Sequence, residues 1–170
     1  HSIDINNDGV INYLLLEGEP SHQDSLLRTE WVIKTLQENN IPINKLNGAI
    51  GNWERAQGSA LMEEWLNEYK DIDLVISNND DMALGAIDAI ERANNITGIK
   101  IVGIDGTKEA LEAINAGKLL GTIESDKKEY AKAVVEIAMF AIGKSSLPED
   151  IKSKLLDNRT YDVEQIPRKK

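Results

Sequence analysis

Residues 71–90, DIDLVISNNDDMALGAIDAI, restrict the fold more than any other stretch, because a strand, a polar turn and a helix start follow one another without a break. Leu74-Val75-Ile76 is a short continuous apolar run, the mark of a strand covered on both faces in a parallel sheet. Ser77, Asn78, Asn79 and Asp80 interrupt it with small polar side chains, and Ala83, Ala86, Ile87 and Ile90 follow at helical spacing. Asp80 or Asn79 then reads as the N-cap, whose side-chain oxygen takes an amide that the first helical turn leaves without a partner. In an open parallel sheet ligands lie at the carboxyl ends of the strands, so these polar residues are also candidates for contact with a small molecule. Capping alone would equally account for them, since Ser, Asn and Asp are the commonest caps.

The same alternation recurs along the chain. A strand over residues 11–16 leads through a loop to a helix ending near Asn39, with Leu26, Ile33 and Leu36 as its expected buried stripe. His22, Asp24 and Arg28 fall at the start of that helix. Helix-dipole compensation by Asp24 and an i,i+4 pair with Arg28 are the structural explanation for them. Residues 46–50 form a weak second strand, and Trp53 heads a helix whose expected core stripe is Met62, Leu66 and Tyr69. An indole at a strand-to-helix turn either staples the helix start or offers a flat face to a ligand. After the central unit, a strand over 101–104 ends in Asp105-Gly106-Thr107, with Thr107 as the next cap. Leu111 and Ile114 mark a short helix closed by Gly117, and residues 119–123 a further strand. Residues 124–126 then cap a long helix with Tyr130, Val134, Ile137 and Ala141 on one face. Residues 145–149 read as linker, and Arg159 to Ile166 as a lone strand that needs a partner sheet. Five strand-helix repeats predict an α/β fold with a doubly wound parallel sheet and helices on both faces.

At 170 residues the length suits one ordinary domain. The balance of 19 Lys and Arg against 29 Asp and Glu, a net charge of -10, argues against nucleic acid and anionic membranes as partners and is compatible with a bound cation. There is no cysteine, which removes disulfides, thiolate catalysis and Cys-type zinc sites. No apolar run approaches the roughly 20 residues of a membrane span, and the first residues lack signal-peptide character. The chain opens on His1 and runs at once into a ligand-like loop, as expected of a piece of a longer protein.

That loop carries the second motif. Asp4, Asn6, Asp8 and Asn12 stand at its first, third, fifth and ninth positions, Gly9 at the sixth, and Val10 at the seventh, where only a backbone carbonyl is needed. This is the front of a calcium loop; the bidentate Glu expected at the twelfth position is replaced by Leu15 inside the strand, so the last carboxylate must come from elsewhere. A plain surface turn would use the same residue types. No G-x-G-x-x-G, Walker loop, Ser elbow or metal-spaced His pair occurs, and the two histidines, His1 and His22, are far apart. The strand ends instead gather His, Asp, Arg, Trp, Asn and Asp. Such a set suits a sugar, whose hydroxyls take carboxylate and amide partners while its C–H face lies on an aromatic ring.

The segments DINNDGVINYLLLEGEPSHQD, NWERAQ, VISNNDDMALGAIDAI, VGIDGTKEALEAI and GKLLGTI, in that order, resemble the bacterial galactose/glucose-binding proteins, within the type I periplasmic binding proteins with their Rossmann-like lobes. The resemblance covers nearly the whole chain. It implies non-catalytic binding of a hexose, galactose or glucose, delivered outside the cytoplasm to the membrane subunits of an ABC transporter and presented to a chemoreceptor. It places the protein in the periplasm or, lipid-anchored, on the outer face of the membrane, with the signal peptide outside this chain. It implies that Asp4, Asn6, Asp8, Val10 by its carbonyl, and Asn12 hold calcium, and that His22, Asp24, Arg28, Asn79 and Asp105 hydrogen-bond the sugar with Trp53 stacked on its face.

Asp73 stands where the family has a distant calcium-binding Glu, one methylene longer, and Ser125 where it has a sugar-contacting Asn. The resemblance further implies that residues 1–124 are the C-terminal, sugar-binding lobe with its calcium loop. Residues 125–170 would be a hinge-crossing helix and tail belonging with an N-terminal lobe absent from this chain. The effector-binding domain of a sugar-responsive transcription repressor shares this fold and is the alternative; an α/β enzyme using Asp24, Asp105 and His22 for acid-base work is a third.

Overall fold

The computed structural model describes residues 3–94, 97–156, 160–161, 163 and 165–169, with the side chains at 156, 160 and 161 excepted. His1 and Arg159 lie outside these. Strand β1 (Ile11–Glu17) is followed by α1 (Gln23–Glu38), β2 (Ile43–Ile50), α2 (Arg55–Glu68), β3 (Leu74–Ser77), α3 (Asp80–Arg92), β4 (Lys100–Ile104), α4 (Lys108–Asn115) and β5 (Gly121–Ser125). Then come α5 (Lys127–Ala141), α6 (Glu149–Lys152), β6 (Leu155–Leu156), β7 (Thr160–Tyr161) and β8 (Gln165–Lys169).

One sheet runs in the order β2-β1-β3-β4-β5-β8, with β1 parallel to both β2 and β3, and β3 parallel to β4. The doubly wound parallel sheet is therefore present. Alternation along β1 divides its core in two, as the pleat requires. Leu14 and Leu16 face Val75, Ile101 and the helices α2, α3 and α4, while Tyr13 and Leu15 join Leu74 and Ile76 beneath Val32, Ile33 and Leu36 of α1. Helices thus cover both faces. Register brings Glu17 beside Ile50 and Leu16 beside Ser77, so β1, β2 and β3 end level with one another.

The chain divides into two compact units, one running to Thr122 with the last residues from Arg168, the other Ile123–Pro167. In the second, Asp126 caps α5 by accepting from Lys128 and Glu129 N–H. Its only buried side chain is Ala133; Tyr130, Val134, Val135 and Phe140 are exposed. Ser125 donates to Gln165 Oε1 at 3.0 Å, and β6 pairs antiparallel with β7. Among the described residues no helix is long and apolar enough to cross a membrane.

Several local expectations need correction. Leu26 is 58% exposed, and the buried residue of α1 is Ser25, whose hydroxyl bonds Asn78 on the side where Val32, Ile33 and Leu36 pack on the core. In α2 the buried face is Gly58, Met62 and Trp65, with Leu66 and Tyr69 only partly buried against it. The fifth strand starts at Gly121; Leu119 is buried just before it. The expected lone strand at the end is two strands, β7 and β8, in different sheets.

Candidate functional site

The strand order places β1 between β2 and β3, so the connection after β1 runs to one side of the sheet and the connection after β3 to the other. A crevice opens at such a switch point, beyond the carboxyl ends of the strands. The loops after β1, β2, β3 and β4 bring to this edge the predicted His22, Asp24, Arg28, Trp53, Asn79 and Asp105, and most of them touch.

Arg28 is the centre. Its Nη1 donates to the Asn78 carbonyl at 2.7 Å and to Asp105 Oδ1 at 3.3 Å, and its Nη2 to Asp24 Oδ2 at 3.2 Å. Its guanidinium carbon lies 5.7 Å from the centre of the Trp53 ring. His22 meets the same ring edge-on, with centroids 5.3 Å apart and planes at 77°. His22 also caps α1, its Nδ1 accepting the Asp24 N–H at 3.2 Å. A neutral imidazole that accepts at Nδ1 carries its proton on Nε2, which becomes a donor.

Asn79 caps α3 through Oδ1, which accepts the Met82 N–H at 3.0 Å, and holds the neighbouring loop through Nδ2, which donates to the Trp53 carbonyl at 3.0 Å. Beyond these two bonds the amide, 6% exposed, has one further N–H and one further lone pair. Asn52 and Trp53 both adopt left-handed backbone, φ 50° and 69°, and Asp105 lies at φ 130°. Non-glycine residues in these regions are strained by about 1–3 kcal/mol each and collect at ligand sites. Burial raises the Asp105 carboxyl above the ordinary carboxylate range; the Arg28 guanidinium pulls it back, and the Asp80 charge adds to the rise.

Three further residues build this edge without having been singled out as ligand contacts. Asn78, buried, accepts at Oδ1 from Gly18 N–H at 3.1 Å, Ser25 Oγ at 3.2 Å and Thr29 Oγ1 at 3.3 Å. Asp80, fully buried, accepts from Thr122 Oγ1 at 2.6 Å and from Thr107 N–H at 2.8 Å, which fastens the turn that carries Asp105. Gly18 packs directly beneath Trp53: a Cβ there would lie far inside contact distance of the ring. Asn78 and Asp80 stood in the legible polar turn, but which side each faces depends on strand order, and Gly18 carried no signal at all.

The opposite, amino end of β1 holds the Asp4–Asn12 residues. Asp4 Oδ2 accepts from Gly9 N–H at 2.9 Å, Asn6 Oδ1 from Asp8 N–H at 3.0 Å and Asp8 Oδ1 from Val10 N–H at 2.8 Å. Asn7 and Gly9 are left-handed, φ 58° and 87°. Asp73, 1% exposed at the start of the adjacent strand, accepts from Ile5 and Asn12 N–H, both at 2.8 Å. Asn12 Oδ1 accepts from Asn44 Nδ2 at 2.9 Å. Among the described residues no three His, Asp or Glu side chains converge as a metal cluster. The oxygen-only donors nevertheless suit a hard divalent cation, and a carboxylate oxygen that accepts one N–H keeps a second lone pair.

Comparison with known proteins identifies the family of the fold. The profile of the periplasmic binding protein domain matches residues 4–145. The D-galactose/methyl-galactoside binding periplasmic protein MglB of Haemophilus influenzae is 37% identical over 158 residues, covering 92% of this chain and 47% of that protein. An ABC transporter solute-binding protein from Bacillus halodurans with bound myo-inositol is 35% identical with a TM-score of 0.73, covering 79% of this chain and 46% of the other. One from Actinobacillus succinogenes with bound D-allose is 25% identical, with a TM-score of 0.81 and 95% and 54% coverage. The chain spans about half the length of the curated relatives it matches first, 47% and 43%.

Proposed function

The chain belongs to the family of periplasmic binding protein domains, and from that premise we propose that its carboxyl edge is one wall of a sugar site, with galactose or glucose as the cargo. The observation that carries this reading is the gathering of Asp24 and Arg28 from the start of α1, Trp53 from the loop after β2 and Asp105 from the loop after β4 around the switch point. Asp24 and Asp105 accept hydroxyl protons, while Arg28 and the Nε2–H of His22 donate to sugar oxygens. Asn79 supplies one contact of each kind. Trp53 offers its face to the sugar's C–H groups, an aromatic contact worth about 0.5–1.5 kcal/mol beyond its area.

Binding is non-catalytic in this reading, and the protein works outside the cytoplasm as the solute-binding component of an ABC sugar transporter, with presentation to a chemoreceptor as a second role. Solved structures of similar proteins hold varied polyhydroxylated ligands, myo-inositol and D-allose among them. The 37% identity to a galactoside-binding protein favours a hexose here. At the amino end, calcium held by Asp4, Asn6, Asp8, the Val10 carbonyl, Asn12 and Asp73 would tie the loop to the sheet. The ion would supply charge neutralisation there, far from the sugar.

Calorimetric titration of the chain with D-galactose, D-glucose, D-ribose and myo-inositol tests the assignment. For a chain that spans about half the length of its relatives, affinity for the hexoses is expected to be weaker than about 1 mM, yet tighter than for ribose or inositol. Ribose or inositol binding better than both hexoses overturns the hexose assignment, and conversion of any of these sugars to product overturns the non-catalytic one.

A further inference from the structure

We infer that Gly18 is a positioning residue: its missing side chain is the seat that sets the pose of the Trp53 ring, and through the ring the fit of a sugar. Gly18 follows the last residue of β1. Its N–H is held by Asn78 Oδ1 at 3.1 Å, and Asn78 is itself 1% exposed and bonded to Ser25 and Thr29 of α1. The seat therefore does not yield. A Cβ at position 18 would meet Cζ2, Cη2 and Cε2 of Trp53, all on the six-membered ring or its junction, at a spacing that real carbon atoms do not reach.

The ring cannot simply follow its backbone away from such a clash. Asn79 Nδ2 donates to the Trp53 carbonyl, Gly51 N–H to the Glu17 carbonyl at 2.8 Å, and Glu54 N–H to the Gly51 carbonyl at 2.9 Å. This turn already carries two successive left-handed residues, Asn52 and Trp53. His22 closes the ring edge-on from α1, and Arg28 stands off it at 5.7 Å. A methyl at position 18 must then rotate the indole about its own side-chain torsions, against neighbours that include His22 and Arg28. The ring's tilt relative to Asp24, Arg28 and Asp105 changes, while none of those groups is altered. Position 18 thereby tunes recognition without touching the ligand.

The ligand readout rests on the stacking role proposed for Trp53; the ring's pose is read without any ligand. The experiment follows the Trp53 indole N–H resonance, assigned by its loss in Trp53→Phe, and D-galactose affinity, in the parent, Gly18→Ala, Trp53→Ala and the double variant. Gly18→Ala is expected to move the indole resonance in the absence of sugar and to weaken galactose at least about fivefold, the equivalent of losing a well-placed aromatic contact. In the Trp53→Ala background the same change at position 18 has no further effect on affinity, because neighbours acting through one contact do not add.

An unmoved indole resonance in folded Gly18→Ala overturns the inference, as does equal weakening with and without the ring. If the resonance moves while neither Gly18→Ala nor Trp53→Ala changes affinity, the seat stands and the stacking role fails. Should Gly18→Ala not fold, the Gly18→Ala/Trp53→Ala double variant is expected to fold, since the ring is what the methyl meets; its failure to do so overturns the inference.

Discussion

The two ends of strands β1 and β3 are organised in opposite ways. At the carboxyl end, side chains reach across the fold: Arg28 to Asn78 and Asp105, Asn78 to Gly18 and Ser25, Asn79 to the Trp53 carbonyl. At the amino end, the bonds among Asp4, Asn6, Asp8, Gly9 and Val10 join near neighbours in one loop, and Asp73 and Asn44 reach in from elsewhere in the chain. The first arrangement exists only in the folded sheet, so its geometry is set before any ligand arrives. The second is local turn chemistry with one buried latch, and an ion would complete it. A sugar should therefore bind a prepared surface, and calcium should close an incomplete one.

The largest expected effect tests that difference at its hub. Asn78→Ala leaves the Gly18 N–H and the Ser25 hydroxyl without their acceptor and is expected to lower stability by on the order of 2–4 kcal/mol, measured by chemical denaturation. Asp8→Ala, which breaks only a local turn, should stay within about 0.5 kcal/mol without calcium. Comparable losses from both would erase the contrast.

Next is Trp53→Ala, expected to weaken hexose binding by on the order of 1–3 kcal/mol with little change in melting, as for an aromatic ring on a flat ligand face. A fall in melting temperature with unchanged affinity would make the indole a staple only. Third, Asp73→Ala frees the Ile5 and Asn12 amides and should cost about 1–2 kcal/mol. In the parent, melting temperature should rise with calcium and fall with chelator, since an ion bound to the folded state stabilises it by its binding free energy. Asp73→Ala should remove most of that shift and Asp71→Ala none of it. A shift that survives Asp73→Ala means the last carboxylate lies elsewhere.

The smallest effect concerns Asp105. Because its carboxyl is raised mainly by burial, the folded chain holds its proton to higher pH than the unfolded chain does. Stability from this group accordingly falls as pH rises through the window between the two values, and is recovered below it. Asp105→Asn removes this half-buried charge. It should melt slightly above the parent at neutral pH, a difference that shrinks as pH falls into the acidic range, while hexose affinity drops. A gap that widens on acidification contradicts the direction of the shift.

The repeated strand-helix units, the caps at Asn79 and Thr107 and the set of residues at the strand ends were legible because each depends on neighbours close in sequence. The placement of β1 between β2 and β3 was not, since periodicity says nothing about strand order. Ser25 illustrates the limit: a helical wheel puts Leu26 inside, whereas the buried position goes to Ser25, whose partner Asn78 is 53 residues away. Gly18 was invisible for the same reason, its importance being the shape of an indole that arrives from another loop.

The central claim, a sugar held at the carboxyl edge, is tested most directly by mapping amide and indole resonances of the isotope-labelled chain during a D-galactose titration to about 100 mM, where binding weaker than 1 mM is still sampled. The predicted result is saturating shifts at the Trp53 indole and at the amides of Gly18, Asn79, Gly106 and Thr107, with residues 4–12 and 73 unmoved. Shifts centred on the amino-end loop, or none at that edge at any concentration, would contradict it.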